Sequence, residues 1–354
     1  MPGKPTIQDI ARLAGVSKTT ISRVLNNKPD VDPVTRERIL LIIDEQGFIP
    51  SIPAAGLASG RRQLIGMLIP SFTWPLIPQL MRGVAEVLEQ TSYELVLYSI
   101  NDNDLKRDRS EVINRVLATQ LTAGLLAVFP GTASKDLTRL YHQGFPVVII
   151  DDQLEQTTPW VGVDNTTGAY MVVRHLVQLG HRRIAHIAGP YEYLASHDRY
   201  NGYRQALQES GISLDPELVL EGDFLSRTGR ACASQFFQLP LEKRPTAIFA
   251  ATDEMAYGVL AAAEEYEIAI PQDVALVGFD DDEPSVHVRP PLTTVRQPYY
   301  EMGAQGLKLL LSQLDSPDMD KPARIQLTTS LIVRASCGAN YHISIPTTHG
   351  NDVI

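Results

Sequence analysis

The chain has little cysteine, little positive charge and no long apolar run. Cys232 and Cys337 are its only cysteines in 354 residues. Two well-separated thiols exclude a disulfide framework and a thiolate zinc site, and they suit a reducing compartment. No apolar stretch approaches the roughly twenty residues of a membrane-spanning helix, and no signal-peptide-like run opens the chain. The protein is therefore expected in the cytoplasm. Catalytic signatures are absent too: GxxxxGK[ST], HExxH, GxSxG and GxGxxG do not occur. Lys and Arg number 31 against 41 Asp and Glu, a net charge of −10, which taken whole argues against a nucleic-acid partner.

The distribution of charge reverses that argument. Residues 1–62 hold nine Lys/Arg against six Asp/Glu, so a head of +3 precedes a body of −13. A small basic head on a large acidic body suits a chain that meets phosphate with one end only. Helix signals are dense in that head. Thr6 followed by Asp9 reads as a cap opening a helix that Gly15 ends, and Ser17 caps a second helix running to about Asn26. Asp32-Pro33 opens a third, with Val34, Ile39, Ile42 and Ile43 apolar and Gly47 beyond its end. Helix, tight glycine turn and helix make a helix-turn-helix. On its second helix Lys18, Thr19, Ser22, Arg23 and Asn26 share a stripe opposite Ile21, Val24 and Leu25. Two readings stand for that stripe. It is a solvated face, or Lys18, Thr19 and Arg23 read base edges while Ser17, Thr20, Ser22 and Asn26 hold phosphates.

Residues 47–62, rich in Pro, Gly, Ala and Ser, read as a linker. Beyond it, the runs "QLIGMLIP", "YELVLYSI", "AGLLAVF", "FPVVIID", "RRIAHIAG", "PTAIFAAT" and "VALVGFD" alternate with helix-length segments. Continuous Val/Ile/Leu runs of this kind predict parallel strands buried on both faces, with a ligand at their carboxyl ends near Pro70, Asp151, Gly189, Thr252-Asp253 and Asp280. His175, His181 and His186 have no carboxylate at ligand spacing, so no metal site is assigned to them. The acidic run Asp280–Glu283 reads as a solvated turn with one ligand-facing carboxylate rather than a cation site. No cofactor is called for.

"TIQDIARLAGVSKTTISRVLNNKPDVDPVTRERI" resembles the DNA-binding head of the LacI/GalR family of transcription regulators nearly residue for residue. The likeness continues to about Gly338 through "VGVDNTTGAYMVVRHLVQLGHRRIAHIAGP", "RYNGYRQALQESGI", "IFAATDEMAYGVLAAA" and "VALVGFDDDEPSVHVRPPLTTVRQP". The resemblance implies an α/β protein: a three-helix head at 1–50, a hinge at 51–62, and a periplasmic-binding-protein-like core of two doubly wound subdomains at 63–338. The subdomains are expected at about 63–160 with 293–322, and about 161–292 with 323–338, and the tail 339–354 is expected to be disordered. It further implies that Lys18 and Thr19 vary with the operator read, that Arg23 contacts a base, and that Thr6, Ser17, Thr20, Ser22, Asn26 and Thr35 hold the backbone. In the hinge, Leu57 stands where the family wedges a leucine into the minor groove, with Ala54 one turn earlier. Pro53 and Gly56 depart from the usual hinge and lower helix propensity.

For the effector, the resemblance points to Arg199, Asp280, Asp151, Phe224, Thr252, Asp253, Gln297 and Tyr299, the last two on a return strand facing the cleft. Trp74 replaces the first residue of the family's Asn-Pro-Phe-Phe segment. It is expected either to offer a flat apolar face to a ligand or to pack between the subdomains. The implied protein is a homodimeric, allosteric, nucleoid-associated repressor of bacterial carbohydrate genes, not an enzyme, released from pseudo-palindromic operator DNA by a sugar. A purine corepressor and a solute-binding protein are the alternative readings. The tail "ANYHISIPTTHGNDVI" lacks the leucine heptads of a tetramer-forming helix.

Overall fold

In a computed structural model of the chain, residues 5–25, 28–48, 64–99, 113, 121–151, 157–315 and 322–339 are described. The expectations for Asn26, Ala54, Leu57, the 51–62 hinge and the tail after 339 lie outside them. The head, taken by itself, follows its capping signals. Thr6 and Asp9 form a reciprocal capping box at the start of α1 (Ile7–Ala14), which Gly15 closes in the left-handed conformation at φ 64. The Ser17 hydroxyl accepts the Thr20 amide at 3.1 Å ahead of α2 (Lys18–Leu25). Asp32 accepts the Thr35 amide at 2.9 Å, with Pro33 as the first residue of α3 (Pro33–Glu45). Ile10, Ala11, Ala14, Ile21, Val24, Val31 and Ile39 form the shared core, with Ile42 and Ile43 half-buried against it. Val34 is the exception, since at 74% exposed it faces solvent. It sits in the first turn of α3, ahead of the stretch where that helix meets α1 and α2.

The body begins with β1 (Leu64–Ile69), α4 (Leu76–Leu88), β2 (Glu94–Ser99), β3 (Thr122–Val128), α5 (Ser134–His142), β4 (Val147–Ile150), β5 (Trp160–Val163) and α6 (Asn165–Gln178). It continues with β6 (Ile184–Ala188), α7 (Leu194–Glu209), β7 (Val219–Glu221), α8 (Ser226–Gln238), β8 (Ala247–Ala250), α9 (Asp253–Glu265) and β9 (Ala275–Val277). After these come β10 (Thr294–Arg296), α10 (Tyr299–Asp315), β11 (Arg324–Leu327) and β12 (Ser330–Ile332). One sheet has the order β11-β5-β4-β3-β1-β2, another β7-β6-β8-β9, and β10 pairs antiparallel with β12. The four-stranded sheet is parallel throughout. β11, β5, β4 and β3 also run parallel. β4, β6 and β8 are buried along their whole length, as strands covered on both faces must be.

The seven expected runs are β1, β2, β3, β4, β6, β8 and β9, whereas β5, β7 and β10–β12 had no such run to announce them. β5 and β11 belong to the six-stranded sheet. The chain leaves that sheet after Val163 and again after Leu327. Tyr299 opens α10 and Gln297 precedes it, so neither lies on a strand.

Glycines let the covering helices approach in pairs. A Cβ on Gly83 of α4 would fall on the Tyr300 carbonyl of α10, and one on Gly303 would fall on the Leu80 carbonyl. α8 and α9 repeat the arrangement: Gly229 lies against the Met255 carbonyl and Gly258 against that of Ser226. Among the described residues no helix is long and apolar enough to cross a membrane.

Gly258→Ala is expected to push α8 and α9 apart and to cost about 1–3 kcal/mol by overpacking. Urea denaturation checks this, and a variant with the wild-type midpoint would contradict the close-contact reading.

Candidate functional site

Two groups of residues stand out, one on the head and one in the body. On the head, Lys18, Thr19 and Arg23 are exposed on α2, with Thr20 and Ser22 half-buried beside them. The Ser17 and Thr6 hydroxyls are engaged in local caps: Ser17 faces Thr20 at 2.9 Å and Thr6 donates to Asp9 at 2.7 Å. Arg23 makes an exposed ion pair with Asp30 at 2.5 Å. A pair of this exposure contributes little stability and is readily exchanged for a phosphate or a base.

In the body, a cavity of about 270 Å³ opens where the strands of both sheets end. Trp74 follows β1, Phe129 follows β3, Tyr193 follows β6 and Phe224 follows β7. Thr252 and Glu254 follow β8, Asp280 and Asp282 follow β9, and Tyr299 follows β10. This is the carboxyl-end crevice that open α/β sheets offer a ligand. Trp74 is within 6.1 Å, centroid to centroid, of Phe129, Tyr193 and Phe224, all in edge-on or tilted contact. Trp74 lines the cavity and also packs against Tyr193 and Phe224, which follow strands of the other sheet, so the two placements expected for it do not exclude one another. Phe129, Phe224 and Asp280 have positive φ of 45, 67 and 123, as do Asp151 at 54 and Asp281 at 61. Non-glycine residues held in this region carry strain of about 1–3 kcal/mol each, and such strain concentrates at binding sites.

Arg199 supplies the guanidinium. It is buried on α7, donates from Nε to Asn165 at 2.9 Å and from Nη1 to the Ala251 carbonyl at 2.5 Å, and lies 3.8 Å from the Asp280 carboxylate. Its Cζ is 3.9 Å from the centre of the Phe279 ring. Asp280 Oδ1 also accepts Gln297 Nε2 at 2.7 Å and the Tyr299 hydroxyl at 2.9 Å. Burial drives the Tyr299 hydroxyl well above its ordinary range, with the Asp280 charge adding to the effect, so Tyr299 stays protonated as a donor.

Three expected residues stand behind the cavity rather than in it. Asp253 is fully buried and accepts the Thr294 hydroxyl at 2.6 Å, the Ser285 hydroxyl at 2.6 Å and the Asp282 amide at 3.0 Å. Its oxygens therefore tie α9 to β10 and to the loop after β9. Asp151 accepts Asn165 Nδ2 at 3.3 Å, and the oxygen of that same amide accepts Arg199 Nε. Gln297 is buried and orients Asp280 and Tyr299. Thr252 does line the cavity, but its hydroxyl caps α9 by accepting the Met255 amide at 3.2 Å.

Sequence reasoning missed Phe129, Tyr193, Asn165, Glu254 and Asp282. Phe129 ends the run "AGLLAVF" and Asp282 lies two residues beyond "VALVGFD", so the carboxyl-end rule could have found them. The acidic run divides its roles. Asp280 and Asp282 line the cavity, while Asp281 binds Arg296 and Arg334 at 2.6 Å each. The three histidines are dispersed: His175 faces Cys337, His181 faces Thr246, and His186 faces the Phe249 carbonyl, stacked on Phe249 and Tyr203.

A helix-turn-helix head followed by two α/β sheets around a ligand cavity is the build of an effector-responsive transcription regulator. The chain belongs to the lacI family of bacterial regulatory proteins. Residues 6–51 match the family's DNA-binding region, and residues 173–337 match the periplasmic binding protein-like domain. Catabolite control protein A of Priestia megaterium is 33% identical over 92% of this chain and 98% of its own. The transcriptional repressor PurR of Vibrio atlanticus (strain LGP32) is 33% identical over 89% and 94%. Among solved structures, the lac repressor dimer bound to operator and the anti-inducer ONPF superposes with a TM-score of 0.81 at 26% identity, covering 95% of this chain and 99% of that one. The transcriptional regulator CelR–cellobiose complex gives 0.70 at 31%, covering 94% and 99%. The protein is thus a DNA-binding transcriptional repressor of this family, whose relatives are regulators and not enzymes.

Burial, with Asp280, Asp253 and Glu254 nearby, raises Asp282 from 3.8 to about 9. A carboxyl that holds its proton more tightly when folded contributes stability that is complete below its unfolded pKa and is lost as pH rises toward the folded one. Asp282→Asn, neutral at every pH, is expected to lose less melting temperature than the parent protein between about pH 5 and about pH 9. A parent curve flatter than that of the variant would contradict the assignment.

Proposed function

We propose that this repressor controls carbohydrate-utilisation genes and is released from its operator by a saccharide. The observation that carries the reading is the cavity lining itself, where the Trp74, Phe129, Tyr193 and Phe224 rings stand with the Asp280, Asp282 and Glu254 carboxyls and the buried Arg199 guanidinium. Sugar rings offer an apolar C–H face for Trp74 or Phe224 and hydroxyl donors for Asp280. The cellobiose held by one similar regulator supports this class. The relation to PurR favours a second reading, a flat purine stacked among the same rings, with ligand and operator binding coupled in the opposite sense.

Lys18, Thr19 and Arg23 read base edges of a pseudo-palindromic operator, and Thr6, Ser17, Thr20, Ser22, Asn26 and Thr35 hold its phosphates. Two copies bind together, as in the lac repressor dimer on its operator, and Ala54 and Leu57 of the 51–62 hinge enter the minor groove. The head is 1–50 and the effector core 63–338. Effector binding shifts the population between two arrangements of the core, only one of which presents the paired heads and hinges to DNA.

Arg23→Ala is expected to abolish discrimination between operator and random duplex while leaving saccharide affinity intact. Fluorescence anisotropy at fixed salt measures both, and retained discrimination removes Arg23 from base reading. Arg199→Ala is expected to bind operator normally and to ignore a saccharide that releases the parent protein. A normal response would place the effector elsewhere.

A further inference from the structure

The charge around the cavity is not balanced, and the imbalance specifies the ligand beyond its being a saccharide. Asp280 already has Arg199, and Asp281 has both Arg296 and Arg334. Asp282 and Glu254 also line the cavity, yet among the described residues no cation pairs with either. Asp282 is 4% exposed, and the charges around it are Asp280, Asp253, Glu254 and Asp281, all of its own sign. Glu254 is half-buried in the first turn of α9. Carboxyls withdrawn from water without a counter-charge are costly to leave that way. Trp74, Phe129, Tyr193 and Phe224 line the same cavity, their rings in edge-on or tilted contact with one another. Aromatic rings grouped beside unpaired carboxylates are the arrangement that receives an ammonium group, by attraction to the ring quadrupole and by charge-assisted hydrogen bonds.

We infer that the effector is a cationic saccharide, an amino sugar whose ammonium sits between Glu254, Asp282 and the aromatic wall while Arg199 and Asp280 take its hydroxyls. The inference rests on the carbohydrate reading above. It excludes sugar phosphates, nucleotides and sugar acids, whose negative charge would meet the acidic groups Glu254, Asp280 and Asp282 with Arg199 the one lining cation among the described residues. Burial alone raises Glu254, and burial together with like charge raises Asp282, so in the free protein Asp282 keeps its proton near neutral pH and releases it when an ammonium supplies the counter-charge.

The test is calorimetric titration of the full-length protein with three probes of equal ring count: the glucosamine disaccharide, its N-acetylated counterpart and cellobiose. The free amine is expected to bind at least about tenfold more tightly than either neutral probe. In Glu254→Gln and in Asp282→Asn the ratio of amine to neutral affinity is expected to fall toward unity. A neutral probe that binds as tightly as the amine overturns the inference and leaves the carbohydrate reading standing. A preference that persists undiminished in both variants overturns the assignment to these carboxyls. If none of the three binds, the carbohydrate reading fails and the inference with it.

Discussion

Arg199 carries a charge that cannot leave the protein, and the groups that hold it define the effector site. A guanidinium is planar, permanently charged and able to donate in several fixed directions, so burying it requires acceptors at each of them. Nε meets Asn165 at the start of α6, Nη1 meets the Ala251 carbonyl at the end of β8, the Asp280 carboxylate after β9 lies 3.8 Å away to balance the charge, and the Phe279 ring lies beneath. Asn165 in turn reaches Asp151 at the end of β4, in the other sheet. One buried cation thereby links the ends of strands from both halves of the core. A ligand that competes for any of these partners changes how the two halves are joined, which is what an allosteric repressor needs from its binding site.

Asp253 plays the complementary part behind the cavity wall. Its three accepted hydrogen bonds tie the first turn of α9 to the loop carrying Asp280 and Asp282 and to Thr294 on β10. β10 and β12 belong to the stretches that connect the two large sheets. The ligand-facing carboxyls are therefore mounted on a segment fastened directly to the connection. The head answers to a different constraint. Its core is small, so caps at Thr6, Ser17 and Asp32 set the helix starts, and the polar face of α2 is left to the solvent and to Asp30.

Local chemistry was legible in the sequence, and tertiary closure was not. Gly15, the Thr6–Asp9 pair and Asp32-Pro33 fix helix ends through neighbours a few residues away, so the three head helices could be read directly. The long Val/Ile/Leu runs announced β1, β2, β3, β4, β6, β8 and β9 for the same reason. β7, β10 and β12 have only three residues each, and β5 and β11 only four; β4, β8 and β9 are as short, but each lies inside a longer apolar run of the sequence. β5, β7 and β10–β12 exist because a distant partner pairs with them, which periodicity cannot register. Arg199, Asp280, Phe224 and Trp74 came through resemblance and do line the cavity. Asp253 and Gln297 came the same way and turned out to support it from behind. Tyr193 and Glu254 became visible only once the strand ends were brought together in space.

The measurement closest to the central claim joins the two sites in one experiment. Operator affinity is measured by anisotropy with and without a saccharide that raises the melting temperature of the free protein, since a ligand of the native state alone must raise it. A ligand that stabilises the core and also weakens operator binding is the predicted result, and by reciprocity operator DNA should weaken that ligand. A saccharide that raises the melting temperature yet leaves operator affinity unchanged would contradict the account, because the cavity would then bind sugar without governing DNA.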